Sequence, residues 1–251
     1  MVIPSLTPYT RIGCVVPAAG VGKRFGAAVP KQYLMLHEQT IMELTLQRLL
    51  QIPRIDRIVV AISDEDRRFQ ALPIAQNARI QVVSGGEERC DSVKNGLQWL
   101  ADLSDSSSQS DDWVLVHDVA RPCVRTEDVL RLMRQVAEAD AVGGILAHPV
   151  RDTMKRSDGC GCIEHTVERA DLWHALTPQL FPLNRLLQAM QQAEQMGSVV
   201  TDEASAMEQL GYQPLLVEGH SDNIKITHPQ DLQLARLYLQ QQRLESEQEN
   251  K

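Results

Sequence analysis

The sequence predicts an α/β protein: a mostly parallel sheet in a three-layer arrangement, helices on both faces, and a β-arm inserted late in the chain. Three observations lead there. Short apolar runs alternate with helical segments from residue 12 to about residue 147, the rhythm of βαβ units whose sheet is covered on both sides. That rhythm breaks after Pro149, where two short β-like runs surround a turn-rich centre. The composition, 43% apolar and 23% charged over 251 residues, is that of an ordinary globular chain long enough to bury a large core.

The elements follow in order. Ile12–Val16 is a short apolar run that breaks at Pro17 into a glycine-rich loop. Thr40 and Glu43 form a capping box, and Ile41, Leu44, Leu49 and Ile52 continue with helical spacing. Arg57–Ile62 and Ile80–Val83 read as buried strands, the second ending at Ser84-Gly85-Gly86. A helix over Cys90–Leu103 precedes a fourth strand, Trp113–His117, which stops at Asp118. Thr126 is placed as the cap of the next helix, with Glu127 and Asp128 in its first turn where the helix dipole favours them. Ala141–Ala147 is the fifth strand. Asp152–Arg156 and Ile163–Val167 then flank Ser157-Asp158-Gly159-Cys160-Gly161 as a hairpin. The pattern alone fits an arm that packs on a partner subunit and a plain surface excursion equally well. Helices are expected at Pro182–Met196 and Glu203–Leu210, and strands at Pro214–Val217 and Ile224–Ile226. A capping box at Thr227–Gln230 is expected to open the last helix. Ser104–Asp112 and a polar tail from about residue 240 read as solvated.

The formal net charge of −8 argues against a nucleic-acid or membrane-surface binder. The average conceals an asymmetry. Residues 1–37 contain no Asp or Glu and four cations, Arg11, Lys23, Arg24 and Lys31, leaving 21 basic against 33 acidic residues in the remainder. An anion is expected to meet the N-terminal segment. Five scattered cysteines suggest no disulfide framework. The Cys160–Cys162 pair lacks a second pair at zinc spacing. With neither a signal-peptide pattern nor a bilayer-length apolar run, the chain reads as cytoplasmic.

In an open α/β sheet, ligands bind beyond the carboxyl ends of the strands. Here those ends are 17–22, 84–86 and 117–121. The first, Pro17 to Gly26, is neither a Walker A loop nor a dinucleotide fingerprint, because Phe25 stands where the third glycine belongs. Its small residues allow backbone N–H groups close to an anion, and Lys23, Arg24 and Lys31 supply charge. Arg24 offers a planar fork to two phosphate oxygens; Lys31 offers a compact charge.

Pro17-Ala18-Ala19-Gly20-Val21-Gly22-Lys23-Arg24 followed by Pro30-Lys31-Gln32-Tyr33 resembles nucleoside-diphosphate-sugar pyrophosphorylases and cytidylyltransferases. Further segments narrow this: 85–93, His117 to Pro122, 149–155, 165–169, 172–179, Thr201 to Ser205 and Asp222 to Thr227. The ordered set, spanning about residues 12 to 240, resembles the 2-C-methyl-D-erythritol 4-phosphate cytidylyltransferases, nucleotidyltransferases of the non-mevalonate isoprenoid route. The resemblance implies a single Rossmann-like domain over 1–251, with the arm at about 150–175 forming a homodimer. It implies transfer of CMP from CTP to the polyol phosphate with Mg²⁺ or another divalent cation, releasing pyrophosphate. By motif position, Arg24 and Lys31 would stabilise the CTP phosphates, while Arg169 and Lys225 would hold the substrate phosphate for attack. Ala18, Ala19 and Gly20 would line the nucleotide, and Gly86, Glu87 and Ser92 the cytosine. Asp118 and Arg121 would lie near the ribose and the substrate alcohol. Thr153, Thr177 and Thr201 would add polar contacts, Thr153 and Arg169 reaching into the neighbouring subunit's site. No metal ligand is assigned, Asp118 being a candidate. Val119 departs from the alanine more usual in the family.

Other readings stay open on residues alone. Lys225 could be a surface cation. His117, His165 and His174 fit no metal spacing and suit structural roles, and Trp99, Trp113 and Trp173 suit core or interface. A cytidylyltransferase for another polyol phosphate, such as ribitol 5-phosphate, is the nearest alternative. A non-catalytic nucleotide-binding regulator is the alternative from a different class, and would not need the second cation pair, Arg169 and Lys225.

Overall fold

The computed structural model describes residues 5–7, 10–20, 29–103 and 112–249. Arg24, with Lys23, lies outside the described residues, as does nearly all of the 104–112 loop.

Seven strands form the main sheet: β1 (Ile12–Pro17), β4 (Ile55–Ile62), β5 (Ile80–Ser84), β6 (Trp113–Val116), β7 (Gly144–Pro149), β10 (Trp173–Pro182) and β11 (Leu215–Glu218), in the order β11-β7-β10-β6-β1-β4-β5. Every pairing is parallel except those of β10, which runs antiparallel to both β6 and β7. Among the described residues there are six α-helices: α1 (Ile41–Leu50), α2 (Arg89–Leu103), α3 (Thr126–Glu138), α4 (Leu183–Gln195), α5 (Glu203–Gln209) and α6 (Asp231–Glu249). Two strand pairs lie apart from this sheet, β2 (Met35–Leu36) with β3 (Gln39–Thr40), and β8 (Met154–Ser157) with β9 (Ile163–Val167).

Strand alternation explains the three layers. On β1, Cys14 and Val16 point into one core with Met42 and Leu46 of α1 and Leu132 and Met133 of α3. Val15 points into the other, with Val93 and Leu97 of α2 and Leu186 of α4. The same division separates Ile58 and Val60 from Val59, and Trp113 and Leu115 from Val114 and Val116. Successive side chains of a strand face opposite ways, so strands apolar at every position need helices on both faces.

The structure departs from the sequence expectations in several places. The Thr40–Glu43 capping box is present, but Thr126 is the first helical residue of α3, with Arg125 at the cap position and no side-chain cap. The fifth strand begins at Gly144 rather than Ala141. Ile224–Ile226 joins no sheet; its one backbone bond to the core region runs from Ile226 N–H to the Ala120 carbonyl. At the last helix Gln230 plays no capping part. Instead the Asp231 carboxylate accepts from the Thr227 and His228 N–H groups and from the Thr227 hydroxyl. The polar stretch beyond residue 240 is helical through Glu249. It is anchored by buried Gln242, which bonds to the Cys123 carbonyl, Asp222 and Arg48. Strand β10, unanticipated, returns from the arm and inserts between β6 and β7. No helix among the described residues is long and apolar enough to cross a membrane.

Candidate active site

The sheet order places β1 between β4 and β6, so the chain leaves β1 to one side and returns on the other. A cleft of about 470 Å³ opens at this switch point, where ligand crevices form in open α/β sheets. Two loops make one of its walls. The first, Ala18–Gly20, is held by Ala18 N–H donating to the Ala61 carbonyl and by the buried Gln32 amide donating to the Ala18 carbonyl. In the second, Gly85 N–H donates to the Ile62 carbonyl, and the Ser92 hydroxyl accepts from Gly86 N–H. The two loops touch so closely that a Cβ on Gly85 would fall 2.3 Å from the Ala19 Cβ, and a Cβ on Gly86 would fall 2.1 Å from the Asp91 Cβ in the first turn of α2. Glycine is required there by space.

Cations and one buried carboxylate make the opposite wall. Asp118, 6% exposed at the end of β6, accepts from Arg89 Nε on one oxygen at 2.8 Å and from Lys225 Nζ on the other at 2.8 Å; Arg121 Nε stands 3.7 Å from the second oxygen. Burial opposes ionisation of Asp118, but Arg89, Lys225 and Arg121 outweigh it and hold the carboxyl well below the usual carboxylate range. Lys31 Nζ donates to the Ile226 carbonyl at 3.0 Å, which brings the first cation beside Lys225 although 194 residues separate them.

A second layer fixes this wall. The Arg121 carbonyl can only accept, so the His117 Nε2 at 3.1 Å carries the proton. Nδ1 of the neutral ring then accepts from the Thr177 hydroxyl at 3.0 Å, while that oxygen accepts from Asp118 N–H at 3.1 Å. Burial pushes His117 down to about 4, so the neutral ring prevails at neutral pH. The Asn223 side-chain amide donates to the Thr177 backbone carbonyl, and the Asn223 backbone carbonyl accepts from Arg121 Nη1.

Of the residues singled out in the sequence, Ala18, Ala19, Gly20, Lys31, Gly86, Glu87, Ser92, Asp118 and Lys225 line the cleft together. Arg121 and Thr177 lie behind it, both buried, and act on its shape rather than its surface. Thr153 and Arg169 sit on the exposed arm, and Thr201 on the exposed lead into α5; none of the three lines the cleft within one chain. Arg169 donates to the Arg151 carbonyl. Sequence reasoning passed over Arg89, whose fork grips Glu203 with Nη1–Oε1 at 2.7 Å and Nη2–Oε2 at 3.1 Å. Both residues stand inside motifs that were noticed, but their pairing spans 114 positions.

Among the described residues, those lining the cleft do not build a divalent-cation site of their own. Both oxygens of Asp118 are engaged by cations that would repel such an ion, and Glu87 and Glu88 are exposed.

The decisive comparison is with known families: the family model for 2-C-methyl-D-erythritol 4-phosphate cytidylyltransferase matches residues 12–241. The chain belongs to that family. It is 55% identical over 231 residues to the enzyme of that name from Tolumonas auensis, covering 92% of this chain and 97% of that one. To the Serratia proteamaculans enzyme it is 54% identical over 228 residues, covering 90% and 93%. The Francisella tularensis cytidylyltransferase crystal structure superposes with a TM-score of 0.77 at 36% identity, over 91% of this chain and all of that chain. The match spans the residues of the main sheet and of the β8–β9 pair as well as the loop.

Proposed function

We propose that the protein transfers CMP from CTP to 2-C-methyl-D-erythritol 4-phosphate, giving 4-diphosphocytidyl-2-C-methyl-D-erythritol and pyrophosphate, a step of isoprenoid precursor synthesis in the cytoplasm. A phosphate oxygen of the polyol phosphate forms a bond to the α-phosphorus of CTP, and the bond from that phosphorus to the bridging oxygen of the β-phosphate breaks. The nucleophile is already anionic near neutral pH, so the task is to bring anions together and stabilise charge on the transferring group.

The observation that carries this reading is the pair of cations, Lys31 and Lys225, meeting beside a carboxylate at the mouth of two glycine-shaped loops. Lys31, with Arg24, meets the CTP phosphates. Lys225, steadied by Asp118, holds the polyol phosphate. Ala18, Ala19 and Gly20 face the nucleotide with backbone groups, and Gly86, Glu87 and Ser92 border the base. Magnesium, or another divalent cation, arrives with CTP, held by phosphate oxygens and water.

The second half of the substrate site is proposed to come from a partner. Thr153 and Arg169 reach the neighbouring cleft when two arms exchange in a homodimer, whose contact includes Met154, Ile163 and Leu172, apolar residues exposed on one chain. Pyrophosphate release from CTP tests the substrate. Methylerythritol phosphate is expected to support it, and release with ribitol 5-phosphate alone, or with neither, would overturn the reading.

A further inference from the structure

The cleft holds one arrangement that the transfer, as described, does not use. Glu203, the first residue of α5, is fully buried, and among the described residues both of its hydrogen-bond partners are nitrogens of Arg89. An isolated buried carboxylate is costly, and Arg89 supplies the charge that pairs with it. Arg89 is itself on the cleft wall. Its Nη1 and Nη2 face Glu203, leaving Nε to face Asp118 at 2.8 Å. The Asp118 oxygen that Arg89 does not take is the one 2.8 Å from Lys225 Nζ.

We propose that Arg89 is a positioning residue for the transfer: locked from behind by Glu203, it fixes the Asp118 carboxylate and, through it, aims the Lys225 ammonium at the incoming phosphate. This rests on the role proposed for Lys225 above. The division of labour on Arg89 is what a guanidinium can do and an ammonium cannot, since the fork binds one carboxylate while Nε binds another at a fixed angle. Three cations then surround two carboxylates, so the cluster keeps a net positive charge. Losing the Glu203 lock leaves Arg89 free to follow Asp118, and the Asp118–Lys225 pair loses its fixed reference.

A role confined to holding the 85–92 loop would act on the nucleotide and raise the KM for CTP. Positioning through Asp118 acts on kcat instead. The test uses the full-length enzyme, CTP and methylerythritol phosphate, with Arg89→Lys and Glu203→Gln made separately and again in a Lys225→Ala background. Each single variant is expected to lower kcat by about 10- to 100-fold, as a displaced reacting group does, with the KM for CTP within about threefold of the parent. In the Lys225→Ala background the same changes are expected to cost less than about threefold, because residues acting through one group are not additive.

Glu203→Gln keeps the shape of the buried side chain and decides the matter if Arg89→Lys does not fold. The proposal is overturned by a folded variant whose kcat stays within twofold of the parent. A tenfold rise in the KM for CTP with kcat intact, or the full loss repeated in the Lys225→Ala background, would also overturn it. A Lys225→Ala enzyme as active as the parent would instead sink the assignment of Lys225, whatever Arg89 does.

Discussion

The cleft and the arm were both expected to carry cations for the same reaction, yet they are built in opposite ways. In the cleft, Lys225 and Arg89 are bonded to Asp118 and Lys31 to a backbone carbonyl, all beneath the ends of a sheet packed on both faces. On the arm, β8 and β9 pair only with each other and nearly every residue from Arg151 to Leu172 is exposed. A cation that must meet an anion at a fixed place needs a rigid mount. The cleft supplies that within one chain. The arm has none until something packs against it, and two-stranded ribbons have little stability alone. Asymmetry of this kind is what an active site divided between two subunits would look like in a single chain.

The largest expected effects put the two regions on equal terms in activity and separate them in stability. Lys225→Ala and Arg169→Ala should each cut turnover by about 10³-fold, the scale for a group that stabilises transition-state charge. Asp118→Asn, which leaves Arg89, Arg121 and Lys225 without their common carboxylate, should destabilise the fold by about 3 kcal/mol. Arg169→Ala should change stability by less than about 0.5 kcal/mol. Urea unfolding monitored beside turnover checks all three. Equal destabilisation by the arm and cleft variants would erase the distinction.

A smaller effect concerns pH. His117 is held neutral by burial, with its pKa pushed down to about 4 from the ordinary 6.5. Between those values the unfolded chain binds the extra proton and the folded chain does not, so stability rises with pH across that window. The contribution is complete above about pH 6.5 and lost as pH falls toward 4, amounting to about 3 kcal/mol. His117→Gln should flatten the dependence of the melting temperature on pH between 4 and 6.5. An unchanged slope would show that His117 is not the group responsible.

How far the sequence disclosed this architecture depended on how local each signal was. Strands β1, β4 and β6 announce themselves because apolar runs with buried alternate faces leave a pattern in four to eight consecutive residues. Strand β10 does not. It carries Pro178 and ends in Pro182, residues that usually argue against a central strand, and its place between β6 and β7 is set by the whole sheet. Ile224–Ile226 shows the reverse error, two isoleucines around Lys225 that read as a strand but pair with none. Beyond residue 240, polar composition suggested solvent, whereas Gln242 is buried because Cys123, Asp222 and Arg48 satisfy its amide. Hydropathy cannot reveal a buried polar group whose partners lie 20 to 194 positions away. The glycine loops and Lys31 were legible for the same reason as β1, being contiguous. The Glu203–Arg89–Asp118 bridge was not, since nothing local marks Glu203 as buried.

The division of the site between two chains is tested most directly by mixing subunits. Lys31→Ala and Arg169→Ala enzymes, each nearly inactive alone, are co-expressed with different tags and the heterodimer is purified. One of its two clefts then combines an intact Lys31 with an intact partner arm, so pyrophosphate release should return to about half the parent rate per dimer. A heterodimer as inactive as its parents would show that each chain supplies its own Arg169, and the two-subunit site would be wrong.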